Sequence, residues 1–237
     1  MATFHSVSLA LRRKDPEMFR EKISPYLNLF SGDDDEMKDF LRAILVVFDH
    51  IPSCKHLLER INKSMDSAAQ YDKSYREPWA TIIHHDFWCN NIMVTKEQPP
   101  RVTILDLQTT TLGSPAIDVI FLLLTSVKLE DIENRLDYFL QYYYDQFTAQ
   151  LKSLGIDIVE FSYENFVKEI DTVSKLGQYI HALGHTSVIL GEKGHTSLDS
   201  SDANYNMDAI DTGFKVNDKH IRKFEWITLE AEKRNWI

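Results

Sequence analysis

One stretch of the chain gathers side chains able to do chemistry: His84-His85-Asp86-Phe87-Trp88-Cys89-Asn90-Asn91, then, after a second apolar run, Ile104-Leu105-Asp106-Leu107-Gln108. It holds a carboxylate at one strand end, an amide five residues on, and a second carboxylate ending the next strand. Asn and Asp are hard oxygen donors of the kind Mg²⁺ accepts, one or two from protein, with its other positions left to water or substrate phosphates. A carboxylate not spent on metal can take the proton of an attacking hydroxyl. These are the parts of phosphoryl transfer from a metal-bound nucleotide, where positioning and charge stabilisation carry most of the catalysis. An Asp with an Asn five residues later is, alone, more often a turn or cap than a site. Here it is joined by His84, by Asp106 at a strand end and by the segment from Gly113 to Asp118.

The elements that must position these residues can be read from periodicity. In the first 75 residues apolar positions recur at helical spacing: Phe4, Val7 and Leu11; Phe40, Leu41, Ile44 and Phe48; Leu57, Leu58, Ile61 and Met65. Three or four amphipathic helices are expected there, punctuated by Pro16, Pro25, Gly32 and Pro52, with Asp33 to Asp35 as a solvated helix start. From Trp79 the pattern changes to short β-branched runs, Ala80 to Ile83, Ile92 to Thr95 and Val102 to Leu107, read as two or three strands. Ser114 is a plausible N-cap with Pro115 at the first helical position of an apolar helix running through Leu124. Helices are expected at about 131 to 153, 163 to 191 and 218 to 235, with a polar loop from Gly194 to Asn206. The fold class is α+β, mainly helical, with no internal repeat.

Composition excludes some functions. The 237 residues are 43% apolar with only 8 Gly and 7 Pro, enough for a packed core and free of low-complexity bias. A net charge of −10 disfavours nucleic acid and acidic membrane surfaces as partners. The longest apolar runs, such as Val119 to Leu124, fall far short of the roughly 20 residues that span a bilayer. Arg12, Arg13 and Lys14 follow the mildly apolar opening instead of preceding it, which argues against a signal peptide. Two cysteines, Cys54 and Cys89, need no disulfide framework, so a cytoplasmic location is expected.

At these motifs the sequence resembles the small-molecule kinases of protein-kinase-like fold, the aminoglycoside phosphotransferases and choline kinases, and most closely the ecdysteroid-kinase-like (CHK kinase-like) family. The residues carrying the resemblance are His84-His85-Asp86 with Asn91, Asp106-Leu107-Gln108, Gly113-Ser114-Pro115-Ala116-Ile117-Asp118 and the opening Phe4-His5-Ser6-Val7-Ser8-Leu9-Ala10-Leu11. The resemblance implies Asp86 as catalytic base, Asn91 and Asp106 as metal ligands, and His84 and Asp118 as structural support of the catalytic loop. It implies ATP and Mg²⁺ as cofactors. The implied acceptor is the hydroxyl of a small-molecule alcohol, with an ecdysteroid or another steroid or xenobiotic alcohol as the candidates. His85 stands where the family has glycine and Leu107 where it has phenylalanine.

No strand-borne lysine and no phosphate-covering loop can be placed before Trp79. The chain therefore reads as a single C-terminal kinase-like lobe, residues 1–237, with a short β-hairpin at the catalytic loop and the N-terminal lobe absent. Within it, 1–78 is helical, 79–125 carries the catalytic and metal loops, and 126–237 is the helical acceptor-side region. A truncated or inactive form is expected, with self-association through the exposed lobe face. The alternative function is a non-catalytic, pseudokinase-like binding module.

Other readings weigh less. Cys54, His56, His84, His85 and Cys89 match no common zinc spacing, and Cys89 reads as a small core residue. A metal-dependent hydrolase would need an activated nucleophile or a metal-ligating His pair at i and i+4, and neither is identified. Of Tyr142, Tyr143 and Tyr144, consecutive on a helix and so on different faces, at least one is expected to be plain core and another could stack on substrate.

Overall fold

The computed structural model describes residues 1–27, 45–69, 76–190 and 218–237. The expected helix start at 33–35, the positions Phe40, Leu41 and Ile44, and the loop from 194 to 206 lie outside them.

Helix α1, Ala2–Lys14, ends on Arg12, Arg13 and Lys14, where positive charge suits the negative end of the helix dipole. Its buried face is His5, Ser6, Ser8, Leu9 and Ala10, while Val7 is 43% exposed. The stripe Phe4, Val7 and Leu11 is thus not the one turned inward. Small polar side chains let α1 approach its neighbours closely, and Ser8 returns its hydroxyl to the Phe4 carbonyl at 2.7 Å.

Residues Leu45–His50 and Pro52–Leu57 are 3₁₀ turns instead of α-helix, broken at Ile51. Ile51 precedes a proline, whose ring disfavours the helical conformation of its neighbour. Helix α2, Leu58–Ala69, buries Ile61 and Met65, with Leu57 just before it, as its spacing predicts.

Among the described residues four three-residue strands form two antiparallel pairs. Strands β1, Thr81–Ile83, and β4, Thr111–Gly113, pair with Thr81 opposite Gly113. Strands β2, Ile92–Val94, and β3, Val102–Ile104, form the expected hairpin with Ile92 opposite Ile104. β4 has no counterpart among the strands expected from the sequence. β3 stops before Leu107 because Asp106 turns into the left-handed region at φ 57.

Gly113 sits where β4 meets β1. A Cβ there would lie 2.5 Å from Ile83 Cδ1 and 3.1 Å from Cγ1, and Ile83 is itself buried. Gly113→Ala is expected to destabilise by about 1–3 kcal/mol through overpacking. A shift in the urea midpoint measures it, and an unchanged midpoint would show that Ile83 has room to move.

Helix α3, Pro115–Ser126, opens as expected: Ser114 Oγ accepts from Ala116 N at 3.3 Å, with Pro115 at the first helical position. It is buried on nearly all sides. Helix α4, Leu136–Ser153, buries Leu136, Leu140, Tyr143, Phe147 and Leu151 at helical spacing. Gly155 at φ 68 closes it, with Ile156 N on the Leu151 carbonyl and Gly155 N on that of Lys152. The expected helix from 163 is broken into α5, Tyr163–Val173, and α6, Tyr179–Leu190, by a π turn in which Gly177 takes φ 106. Helix α7, Asp218–Lys233, is the last described element. Trp79 anchors the core among Phe147, Phe161 and Phe166, at centroid distances of 5.1–6.2 Å. The architecture is mostly helical with small antiparallel strand pairs, an α+β arrangement.

Candidate active site

The loop from β1 to β2 carries Asp86 and Asn91, and the turn after β3 carries Asp106. Asn91 Nδ2 donates to the Asp86 carbonyl at 2.8 Å and to its carboxylate Oδ2 at 2.9 Å. Both partners are acceptors, so the amide nitrogen is spent on Asp86 and Asn91 Oδ1 is the atom left for a cation. Leu105 N bonds the Asn91 carbonyl at 2.9 Å, extending the β2–β3 pairing by one rung. Asn91 and the residue before Asp106 are therefore neighbours at one end of the hairpin. Asp106 is exposed, with Gln108 Nε2 3.5 Å from its Oδ2. An amide oxygen and an exposed carboxylate at one hairpin end are hard donors that suit Mg²⁺.

His84 ties the two loops together. Its Nε2 faces the Leu105 carbonyl at 2.7 Å and must donate, so its Nδ1 accepts from Asp86 N at 3.3 Å. Thr109 adds a hydroxyl bond to the His84 carbonyl at 2.8 Å. His85 takes φ 69, a conformation that glycine adopts freely and that costs other residues about 1–2 kcal/mol. Asp86 thus stands just after a left-handed residue, and Asp106 is itself one. Such backbone is retained where the surroundings over-determine it.

Asp118, on α3, lies beneath this loop with no solvent exposure. Its Oδ2 accepts from His84 N at 2.7 Å and its Oδ1 from His85 N at 2.8 Å. His5 Nε2 reaches the same Oδ2 at 3.0 Å, and Tyr143 Oη meets His5 Nδ1 at 2.7 Å. Burial alone would raise the Asp118 pKa. The hydrogen bonds from His5 and from the two loop amides outweigh it and hold the carboxyl below its usual range. Burial likewise drives His5 below its ordinary value, offset only in part by Asp118. The pair is thus a neutral imidazole donating to a carboxylate. Tyr143 is not plain core, since its hydroxyl ends this chain, whereas Tyr142 is exposed.

On α6, His181 and His185 form an i, i+4 histidine pair that the sequence analysis does not pick out. Their rings meet edge-on at 4.6 Å; Phe121 stacks on His181 at 5.1 Å, and Trp88 is 5.5 Å from His185. His185 Nδ1 donates to the His181 carbonyl at 3.0 Å. Burial lowers the pKa of both rings, with the His185 and His85 charges adding to the effect at His181 and the Asp86 charge opposing it at His185. Among the described residues no three His, Cys, Asp or Glu side chains gather as a metal cage. The zinc and hydrolase readings therefore gain nothing. Cys54 is buried, but Cys89 is exposed, contrary to its reading as core, and its amide donates to Ser126 Oγ at the end of α3 at 2.8 Å.

The pH dependence of stability follows from the buried imidazoles. Below about pH 6.5 the unfolded chain protonates its histidines while native His5 and His181 resist. The unfolded state then binds more protons, so stability rises with pH and is lost on acidification below that value. The slope is at most about 1.4 kcal/mol per pH unit for each histidine. Urea midpoints at about pH 7.5 and 5.5 measure it, and equal midpoints would mean these rings protonate in place.

A family model of the ecdysteroid kinase-like family matches residues 1–156, a span that includes His5, His84, Asp86, Asn91, Asp106, Asp118 and Tyr143 and ends before α5, α6 and α7. No curated protein and no solved structure matches the chain. Among the described residues no helix is long and apolar enough to cross a membrane. With the matched span covering well over half of the 237 residues, the chain belongs to the ecdysteroid kinase-like family.

Proposed function

We propose that these loops are the catalytic and metal loops of an ATP-dependent small-molecule kinase, carried on a protein-kinase-like C-terminal lobe. The observation that carries the reading is the direct Asn91–Asp86 contact at the end of the hairpin that also delivers Asp106. Asp86 accepts the acceptor's hydroxyl proton as its oxygen attacks the γ-phosphorus of ATP. The bond from that phosphorus to the β–γ bridging oxygen breaks, giving a phosphate monoester and ADP. Asn91 through Oδ1 and Asp106 through its carboxylate would hold Mg²⁺, which when bound offsets phosphate charge. His84 fixes both loops, and Asp118 fixes the two successive backbone amides of His84 and His85.

The surroundings favour an uncharged acceptor. His181 and His185, whose pKa values burial lowers, back the loop beside Asp86 from within the core together with the buried rings of Phe121 and Trp88. An apolar backing of this kind suits an uncharged alcohol, a steroid among the candidates. Incubation with Mg-ATP and a panel of steroid and simple ring alcohols, followed by phosphorus NMR, tests the reading. A phosphate monoester that appears only with a competent alcohol would favour the kinase reading over the inactive form expected from the sequence. Its absence across the panel, with the alcohols bound, would leave a binding module in place of a kinase.

A further inference from the structure

The buried chain from Tyr143 to Asp118 crosses three helices before it reaches the catalytic loop. Tyr143 lies on α4, His5 on α1 and Asp118 on α3, and His5 and Asp118 have no solvent exposure. Each link has one allowed direction. The Asp118 carboxylate can only accept, so His5 carries its proton on Nε2. A neutral imidazole protonated at Nε2 can only accept at Nδ1, so with His5 kept neutral by burial Tyr143 donates its hydroxyl proton to it. The His5 backbone is held as well, its carbonyl accepting from Thr81 Oγ1 on β1 at 2.6 Å. At the far end His84 N and His85 N donate to the two carboxylate oxygens, and His84 Nδ1 accepts from Asp86 N.

We propose that His5 and Tyr143 are positioning residues for Asp86, acting through Asp118 and the two loop amides. The inference rests on the kinase reading only in what Asp86 does, since the coupling itself can be measured without turnover. The arrangement is the one a neutral imidazole can make with one donor and one acceptor in line. A carboxylate held from below by three donors has little freedom to rotate. The loop it grips includes a left-handed His85, a conformation that needs such over-determination. Losing the Tyr143 hydroxyl frees His5 Nδ1 to seek another partner and loosens the ring that fixes Asp118.

Two readouts on the full chain test this. Tyr143→Phe keeps the ring and removes the donor. It is expected to lower hydrogen-exchange protection of the His84 and His85 amides by about tenfold and to shift the carboxyl carbon resonance of Asp86. Protection at Ile156, whose amide closes α4 on the Leu151 carbonyl, should stay unchanged, which separates a local effect from general loss of stability. Substitution at His5 supplies the second comparison. His5→Gln offers one amide donor and one carbonyl acceptor and is expected to retain most of the protection, whereas His5→Phe offers neither and should lose it. Unchanged His84 and His85 protection in Tyr143→Phe, or equal protection in the Gln and Phe variants of His5, would overturn the proposal. These outcomes are independent of whether any alcohol is phosphorylated, so a failed kinase assay leaves the coupling standing.

Discussion

Asp86→Asn is expected to lower kcat for phosphoryl transfer to an alcohol by about 10²–10⁴, the usual contribution of a positioned general base. The substitution changes little volume and spares the local contacts. The amide oxygen of the new side chain can still accept from Asn91 Nδ2, and the Asp86 backbone bonds to Asn91 and His84 do not involve the side chain. The loop should therefore stay folded, with a thermal midpoint close to that of the parent and KM for ATP little altered. A fall in kcat without a fall in stability is the signature of a lost proton acceptor. Should kcat survive, Asp86 is not the base, and its contact with Asn91 would be structural. If kcat and stability fell together, the loop would have collapsed and the base would remain to be found.

The chemistry-bearing stretch was legible in the sequence because its signals are local. A polar motif between two short β-branched runs, a Ser-Pro helix start and an Asp at a strand end all lie within about 35 residues of one another. The hairpin, the Ser114 cap and the α2 stripe are set by the same short-range rules. What could not be read depends on partners distant along the chain. The inward face of α1 is His5, Ser8 and Leu9 instead of Phe4, Val7 and Leu11, since His5 is buried by a hydrogen bond to a carboxylate 113 residues away. Hydrophobic periodicity rewards apolar side chains and passes over a polar residue that is buried because it is paired. Tyr143 was hidden in a run of three tyrosines for the same reason. The break at Gly177 was missed because a single glycine inside a helical pattern is usually tolerated, and only its φ of 106 shows that this one is not. His181 and His185 carried a legible signal, the i, i+4 spacing, which the apolar character of their helix concealed.

The largest effect on stability is expected at Asp118, where two substitutions should separate according to the bonds they leave. Asp118→Ala removes the acceptor from His5 Nε2 and from the His84 and His85 amides at once, in a region where Asp118, His5 and His84 have no solvent exposure. Breaking such a buried pair on one side costs about 3–5 kcal/mol. Whole domains are stable by only about 5–15 kcal/mol, so the variant should be poorly folded or unfolded at body temperature. Asp118→Asn is milder for a specific reason. Its carbonyl oxygen can take the place of Oδ1 and still accept from His85 N. Its NH₂ group, standing where Oδ2 stood, can donate to His5 Nε2 if the imidazole moves its proton to Nδ1 and the Tyr143 hydroxyl turns to accept. His84 N is then the one donor that faces another donor, a loss of about 1–3 kcal/mol. Urea unfolding should rank parent, Asn variant and Ala variant in that order. Amide exchange in the Asn variant should open at His84 while His85 stays protected. If the alanine variant loses less than about 1 kcal/mol, the carboxylate is not the acceptor its geometry makes it. If His84 keeps its protection in the asparagine variant, the two oxygens of Asp118 divide their donors differently.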